Sequence, residues 1–419
     1  MDDFHIVQRP ASAGERQFWV AEQIAPGAVA HRAVGHIRLE GSVELDMLRR
    51  ALVAVHRRHE ALRTAFVLSD GQVVRKVLAA PATSDVEVLP QGTGFTEAAD
   101  QLLAPDSFDI AAGRVHRAAV TIDPRGADLY LGFHHIAFDG LSMEVFAADL
   151  AQAYARALGS AVPDLAVRHR ADPVVLEAAQ REELAAYWRS ALEGAPDLPA
   201  DGPVLTQRDI VRAAITERRA TWPAALWTAV RDRARHHACS PYAVLLTAYG
   251  RLLAGETGAA DFCVGTAVAL RSAENADEVG CLINTVPVRL RGLGEPDAVD
   301  RVWDAVISGI AHAALPTDEI VRECRSRPGR RLPLFQTLFA FQNWQRAEYA
   351  AGPVCVWTVP VRPLGCAGEL QMQVAETAEN SLEVTVQAPA EGPWAARLEH
   401  MLSRYGRLLE ELATVEGTS

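Results

Sequence analysis

The chain has 419 residues, 49% of them apolar and 22% charged, which is ordinary globular composition and excludes a disordered, collagen-like or small disulfide-stapled protein. With 41 Lys and Arg against 53 Asp and Glu the net charge is −12, so no long-range positive field draws the molecule onto nucleic acid. The N-terminus, MDDFHIVQRP, has neither a basic start nor an apolar core, and no stretch reaches the roughly 18 apolar residues of a membrane span, so a soluble cytoplasmic protein is expected.

Leu45, Leu48, Leu52, Val55 and Leu62 lay one apolar stripe along a helix running to about residue 61, followed by strand from Arg63 to Val77. The β-rich segments 117–122 and 128–134 flank Asp123-Pro124-Arg125-Gly126, a turn sequence, and predict a hairpin. Phe146, Leu150, Tyr154 and Leu158 then repeat every four residues, which places the start of a five-turn helix near Gly140. The stretch from Gly194 to Val204 holds three prolines and no periodicity and reads as a linker between two halves. Ser240-Pro241 opens a helix through Leu253 that should stop at Gly255. Strands are expected over 262–270, 281–290 and 334–343, a helix through Val299, Val302, Val306 and Ile310, a hairpin of 370–375 with 382–387, and a closing helix from Trp394 to Leu412. The six cysteines form no C-x-x-C pair and have no histidines at zinc spacing, so they read as buried free thiols and no metal site is expected.

Reactive side chains are densest at Phe133-His134-His135-Ile136-Ala137-Phe138-Asp139-Gly140, where a strand ends and a helix begins. A neutral imidazole there can take a proton from an amine or alcohol attacking a carbonyl. Asp139 can orient an imidazole or pin the loop through a cation, and Gly140 lets the backbone turn without a side chain. Taken alone, such a cluster is more often a satisfied structural network or a surface accident than a site. Adjacent strand residues point to opposite faces, so the two histidines do not readily share a metal.

His134 to Gly140 fit HHxxxDG, and with this motif the chain resembles the condensation domains of nonribosomal peptide synthetases. Further stretches carry the resemblance in family order. Residues 58–66, RHEALRTAF, resemble RHExLRTxF, and Ser12 to Trp19 is a looser version of the family's opening motif. Val279 to Val286 resembles I-G-x-F-V-N-T-L, His312 and Pro316 keep an H-x-x-x-P spacing, Arg331 to Gln336 resembles R-N-P-L-F-Q, and Tyr187-Trp188 with Leu198 to Asp201 resembles the link between halves. Ala171 to Glu182 lacks the family's Y-x-D-F-A-x-W segment. The DxxxxD of cyclising relatives and the E-G-H-G-R-E context of epimerising ones are absent, as are adenylation and carrier-protein motifs.

The resemblance implies an α/β fold of two chloramphenicol-acetyltransferase-like lobes, residues 1–175 and 176–419, forming a V-shaped pseudodimer with a tunnel between them. It implies an acyltransferase joining a thioester held on a carrier protein's phosphopantetheine arm to an amine or alcohol, the acceptor being carrier-bound or a free small molecule, with no cofactor held by the chain. It assigns His135 as the catalytic histidine, His134 to loop structure, and Asp139 to an ion pair with Arg271, while bulk at Gly140 would obstruct the tunnel. Ser142 and Asn284 are candidate substrate contacts, with helix capping and backbone satisfaction as their respective alternatives. Arg322, Arg325 and Arg330, with Arg327 and Arg331, make a basic run that could dock an acidic carrier protein or form a solvated loop. Two other functions stay open: a non-catalytic platform that binds carrier proteins and recruits tailoring enzymes, and an acyl-CoA-dependent acyltransferase. In the recruiting class the second histidine or the glycine is commonly altered; here both are intact.

Overall fold

The computed structural model describes residues 8–170, 172–173, 175–324, 331–342 and 347–414. In chain order the first part runs β1 (Gln8–Pro10), α1 (Ala13–Ile24), β2 (Arg32–Glu40), α2 (Leu45–Arg58), β3 (Thr64–Ser69), β4 (Gln72–Val77), β5 (Glu87–Val88), α3 (Phe95–Leu102), β6 (His116–Asp123), β7 (Gly126–His134) and α4 (Ser142–Ala157). The remainder runs α5 (Ala178–Ala191), α6 (Gln207–Arg212), β8 (Ile215–Trp222), α7 (Ala224–His236), α8 (Pro241–Thr257), β9 (Asp261–Ala269), β10 (Ile283–Arg291), α9 (Ala298–Ala311), α10 (Thr317–Cys324), β11 (Thr337–Gln342), β12 (Glu348–Ala351), β13 (Val354–Val359), β14 (Leu370–Glu376), β15 (Leu382–Pro389) and α11 (Leu398–Thr414).

These elements gather into two compact units. The first comprises Met1–Val175, Arg271–Ile283 and Arg346–Leu364, and the second Leu176–Leu270, Asn284–Gln345 and Gly365–Ser419. Each unit carries one six-stranded sheet, ordered β12-β13-β2-β7-β6-β5 in the first and β10-β9-β11-β14-β15-β8 in the second. The first unit adds the small sheet β1-β4-β3. Two segments from beyond residue 270 therefore belong to the first unit. One of them supplies β12 and β13, which pair antiparallel onto β2 through β13.

In the first unit α2 and α4 lay Leu48, Leu52, Val55, Phe146, Leu150 and Tyr154 against Ile37, Leu39, Leu129, Leu131 and Phe133 of the sheet. Full burial of each such side chain is worth about 1.5–3 kcal/mol before entropy is counted. Of the stripe read from sequence, Leu48, Leu52, Val55 and Leu62 are buried and Leu45 is partly so, but Leu62 lies past the helix, in a short 3-10 turn over Glu60–Arg63. Asp123 to Gly126 makes the β6–β7 hairpin, with Asp123 Oδ1 accepting from the Arg125 N–H at 2.6 Å.

In the second unit α8 and α11 bury Val244, Leu245, Tyr249, Met401 and Tyr405 among Phe339, Met372, Val374 and Val384. Helix α8 begins as expected, with Ser240 Oγ accepting from the Tyr242 N–H and Pro241 at its first position. It runs past Gly255, which lies under the Arg404 side chain, and closes at Gly258, whose φ of +71° suits a residue without a Cβ. The stretch Gly194–Val204 is irregular but is no linker between units. It lies within the second unit, and Leu198 is fully buried in that core. None of the six cysteines is in a disulfide: Cys263, Cys281 and Cys366 are buried as expected, whereas Cys239, Cys324 and Cys355 are only partly so. Among the described residues no helix is long and apolar enough to cross a membrane.

Candidate active site

Strand β7 is central in its sheet and ends at His134, where the chain enters a 3-10 turn, His135–Ala137. Apolar packing holds this turn. Ile136 and Ala137 are buried with Phe66, Ile110 and Val115, and Phe138 folds back onto Phe133, the rings stacked at 3.6 Å and 5°. The loop therefore presents its histidines from a rigid base.

His134 Nδ1 accepts from the Ile136 N–H at 3.1 Å, so the ring proton sits on Nε2 and points at Glu22 Oε2, 3.3 Å away. His31 Nδ1 donates to the same Glu22 oxygen at 3.1 Å, and the Gly27 N–H donates to Glu22 Oε1 at 2.8 Å. Burial works against a charged Glu22, but these donors outweigh it and hold the carboxyl well below the usual carboxylate range. Burial likewise lowers the pKa of His134, against the pull of Glu22.

The next histidine has the opposite tautomer. His135 Nδ1 donates to the Phe138 carbonyl at 3.1 Å, which leaves the lone pair on Nε2, an atom with no hydrogen-bond partner among the described residues. Phe18 of α1 stacks on the His135 ring with centroids 5.4 Å apart at 20°. Burial pushes the imidazole down to about 4. The ring is thus neutral near pH 7, with an unshared acceptor nitrogen.

Asp139 accepts no hydrogen bond from either imidazole. Its Oδ1 accepts from the Ser142 N–H at 2.9 Å, the Ser142 hydroxyl at 2.8 Å and Arg271 Nη2 at 2.8 Å, and its Oδ2 accepts from the Leu282 N–H at 3.0 Å. Arg271 in turn donates through Nη1 to the Glu278 and Asn275 carbonyls. The expected Asp139–Arg271 pair is therefore present, and it fastens segment 271–283 to the loop. Gly140, next in the chain, is exposed.

A family model described as the condensation domain matches residues 8–392. The chain belongs to the condensation-domain family. It is 32% identical over 363 residues to phosphinothricin tripeptide synthetase PhsC of Streptomyces viridochromogenes, covering 81% of this chain and 33% of that protein. It is also 28% identical over 350 residues to tyrocidine synthase 2 of Brevibacillus parabrevis, covering 80% of this chain and 10% of that protein. The chain thus spans a third or less of the length of these curated relatives. In fold it resembles the condensation domain of the monacolin K polyketide synthase MokA, with a TM-score of 0.83, 21% identity and 98% of each chain covered. It also resembles the X-domain from teicoplanin biosynthesis, with a TM-score of 0.76, 21% identity, and 100% and 97% covered. The two-lobed acetyltransferase-like α/β fold is the one these structures share with it.

The remaining candidates of this condensation domain fall into two groups. Ser142 and Asn284 are spent inside the protein. The Ser142 hydroxyl donates to Asp139 and accepts from the Gly280 N–H and Arg271 Nη2, both at 3.0 Å; it is the first helical residue of α4 rather than its cap. Asn284 gives both amide protons to the Ala313 and Leu315 carbonyls at 2.8 Å, and its oxygen accepts from Thr317 Oγ1 at 2.6 Å and the Thr285 N–H at 3.0 Å. Neither side chain keeps a polar group for substrate. The basic run is divided: Arg322 is exposed and paired with Asp318 one turn back, Arg331 clamps Glu369, and Arg325, Arg327 and Arg330 lie outside the described residues. Sequence reasoning missed Glu22, His31 and Phe18. The one local signal was the spacing of Phe18 and Glu22, four residues apart on a segment not read as helix.

Proposed function

We propose that this chain is a catalytic condensation domain that joins an acyl or peptidyl thioester on a carrier protein to an amine or alcohol acceptor. The observation that carries this reading is the neutral His135 ring with its free Nε2. With an amine acceptor, the nitrogen attacks the thioester carbonyl, a C–N bond forms, the C–S bond breaks, and the proton lost by nitrogen passes through His135 Nε2 to the departing thiolate. His135 acts as base or holds the attacking nitrogen; a positioned general base is typically worth about 10²–10⁴ in rate. His134, Asp139 and Arg271 hold the loop, and the carbon skeletons arrive on phosphopantetheine arms rather than on a cofactor of this chain.

The fold likeness to an X-domain favours a second reading, a platform that binds carrier proteins without catalysis. A platform has no need of an imidazole kept neutral and unshared, and this argues for the enzyme. Replacing His135 by Ala in the source organism, with the protein level checked by immunoblot, separates them. Loss of a related set of small-molecule masses while the protein persists supports catalysis and names the bond made. Survival of those masses supports the platform.

A further inference from the structure

Helix α1 holds both histidines of the loop from one side. Phe18 and Glu22 are four residues apart, so they lie on one face of the helix, one turn from each other. Phe18 stacks on His135 and Glu22 accepts from His134. The two contacts complement the loop's own hydrogen bonds, in which each imidazole is fixed at Nδ1 by a backbone group, the Ile136 N–H for His134 and the Phe138 carbonyl for His135. A flat ring held at one nitrogen can still tilt about that bond, and a second restraint on its face or far edge removes this freedom. Phe18 and Trp19 also pack against the apolar cluster that contains Ile136 and Ala137, so α1 and the turn share one patch of core.

We propose that Phe18 and Glu22 are positioning residues, Glu22 locking His134 in its Nε2–H tautomer and Phe18 fixing the plane of His135 so that its Nε2 faces the reacting atoms. The inference rests on the catalytic reading of His135 but concerns the ring itself. Removing Phe18 also opens one face of His135 to water, which relieves the desolvation that keeps it neutral. The ionisable groups acting on that ring are His134, His31 and Asp139.

The test is nitrogen NMR of the 419-residue chain carrying ¹⁵N-histidine, recorded across pH 4–8, with His135→Ala and His134→Ala to identify the signals. In the parent, His134 shows the Nε2–H tautomer and His135 the Nδ1–H tautomer. Phe18→Ala should raise the His135 midpoint by about one pH unit or more and mix its tautomers, whereas Phe18→Tyr, which keeps the ring, should leave both in place. Glu22→Ala should mix the His134 tautomers and disturb His135, and Glu22→Gln, which keeps an acceptor oxygen, should restore both. Should Phe18→Ala fail to fold, Phe18→Leu carries the same arm, with a smaller shift in the same direction. Unchanged tautomers and midpoint in the folded Ala variants overturn the proposal. The expected spectra combined with metabolites that survive His135→Ala overturn the catalytic reading and leave the positioning intact.

Discussion

Arg271 reaches across 132 residues of sequence to place its Nη2 2.8 Å from Asp139 Oδ1, with the carboxylate fully buried and the guanidinium 9% exposed. Truncating one member of such a pair leaves the other charge buried without compensation, a loss of about 3–5 kcal/mol. Arg271→Ala should fall in that range by urea unfolding. Arg271→Lys should recover only part of it, because one ammonium cannot serve Asp139 and the Glu278 carbonyl together. A variant with normal stability and lost activity would show that the pair serves chemistry instead.

The pH profile follows from His135. Its pKa is pushed down to about 4, so the acceptor form is fully present above that value and is lost only as pH falls through it. Turnover should be flat from pH 6 to 8 as far as this group decides it, with an acid limb near pH 4–5. An acid limb between 6 and 7, the range of an ordinary histidine, would contradict the buried geometry.

Asn284→Ala strands the Ala313 and Leu315 carbonyls and should cost about 1–3 kcal/mol per unpaired buried group. Thermal unfolding should register the loss, while KM for either substrate stays at its parental value. A raised KM with unchanged stability would return Asn284 to the substrate contacts.

A second histidine pair predicts how the protein fails in acid. His56 Nδ1 donates to the Leu52 carbonyl at 2.7 Å, so its Nε2 must accept from His116 Nε2, with which it is in close contact. Burial pushes His56 down to about 4 and lowers His116 as well. The unfolded chain, with ordinary histidines, binds more protons across that interval. Stability is therefore full above pH 6.5 and declines as pH falls toward 4. Urea midpoints measured from pH 7 to 4.5 should drop less steeply in His56→Phe than in the parent.

How far the sequence reached depended on the kind of signal. Strongly periodic elements such as α2, α4 and α11 were legible because their buried stripes are long. Strand β2, which pairs with β7 along its whole length, was not read: Gly35, His36 and Arg38 interrupt its alternation, and its membership is decided by pairing partners far away in sequence. Strand β8 is a polar sheet edge, whose sequence ITERRATW carries little hydrophobic pattern. At the site, the motif pointed to the His135 loop and to the Asp139–Arg271 pair. For Glu22 and Phe18 the four-residue spacing placed them on one helix face but not against the histidines, because where α1 packs is a tertiary matter.

The interleaving of the two units constrains how the protein can be made and cut. Residues 271–283 and 346–364 complete the first unit, yet the former are translated after the second unit has begun and the latter after most of it. While the nascent chain is shorter than about 270 residues, Asp139 has no arginine to meet, and β2 keeps an open edge until β13 is synthesised. A fragment ending at residue 175 would carry both histidines on an unfinished sheet with an unpaired buried acid, so splitting this chain into separately expressed halves removes structure from the half that holds the site.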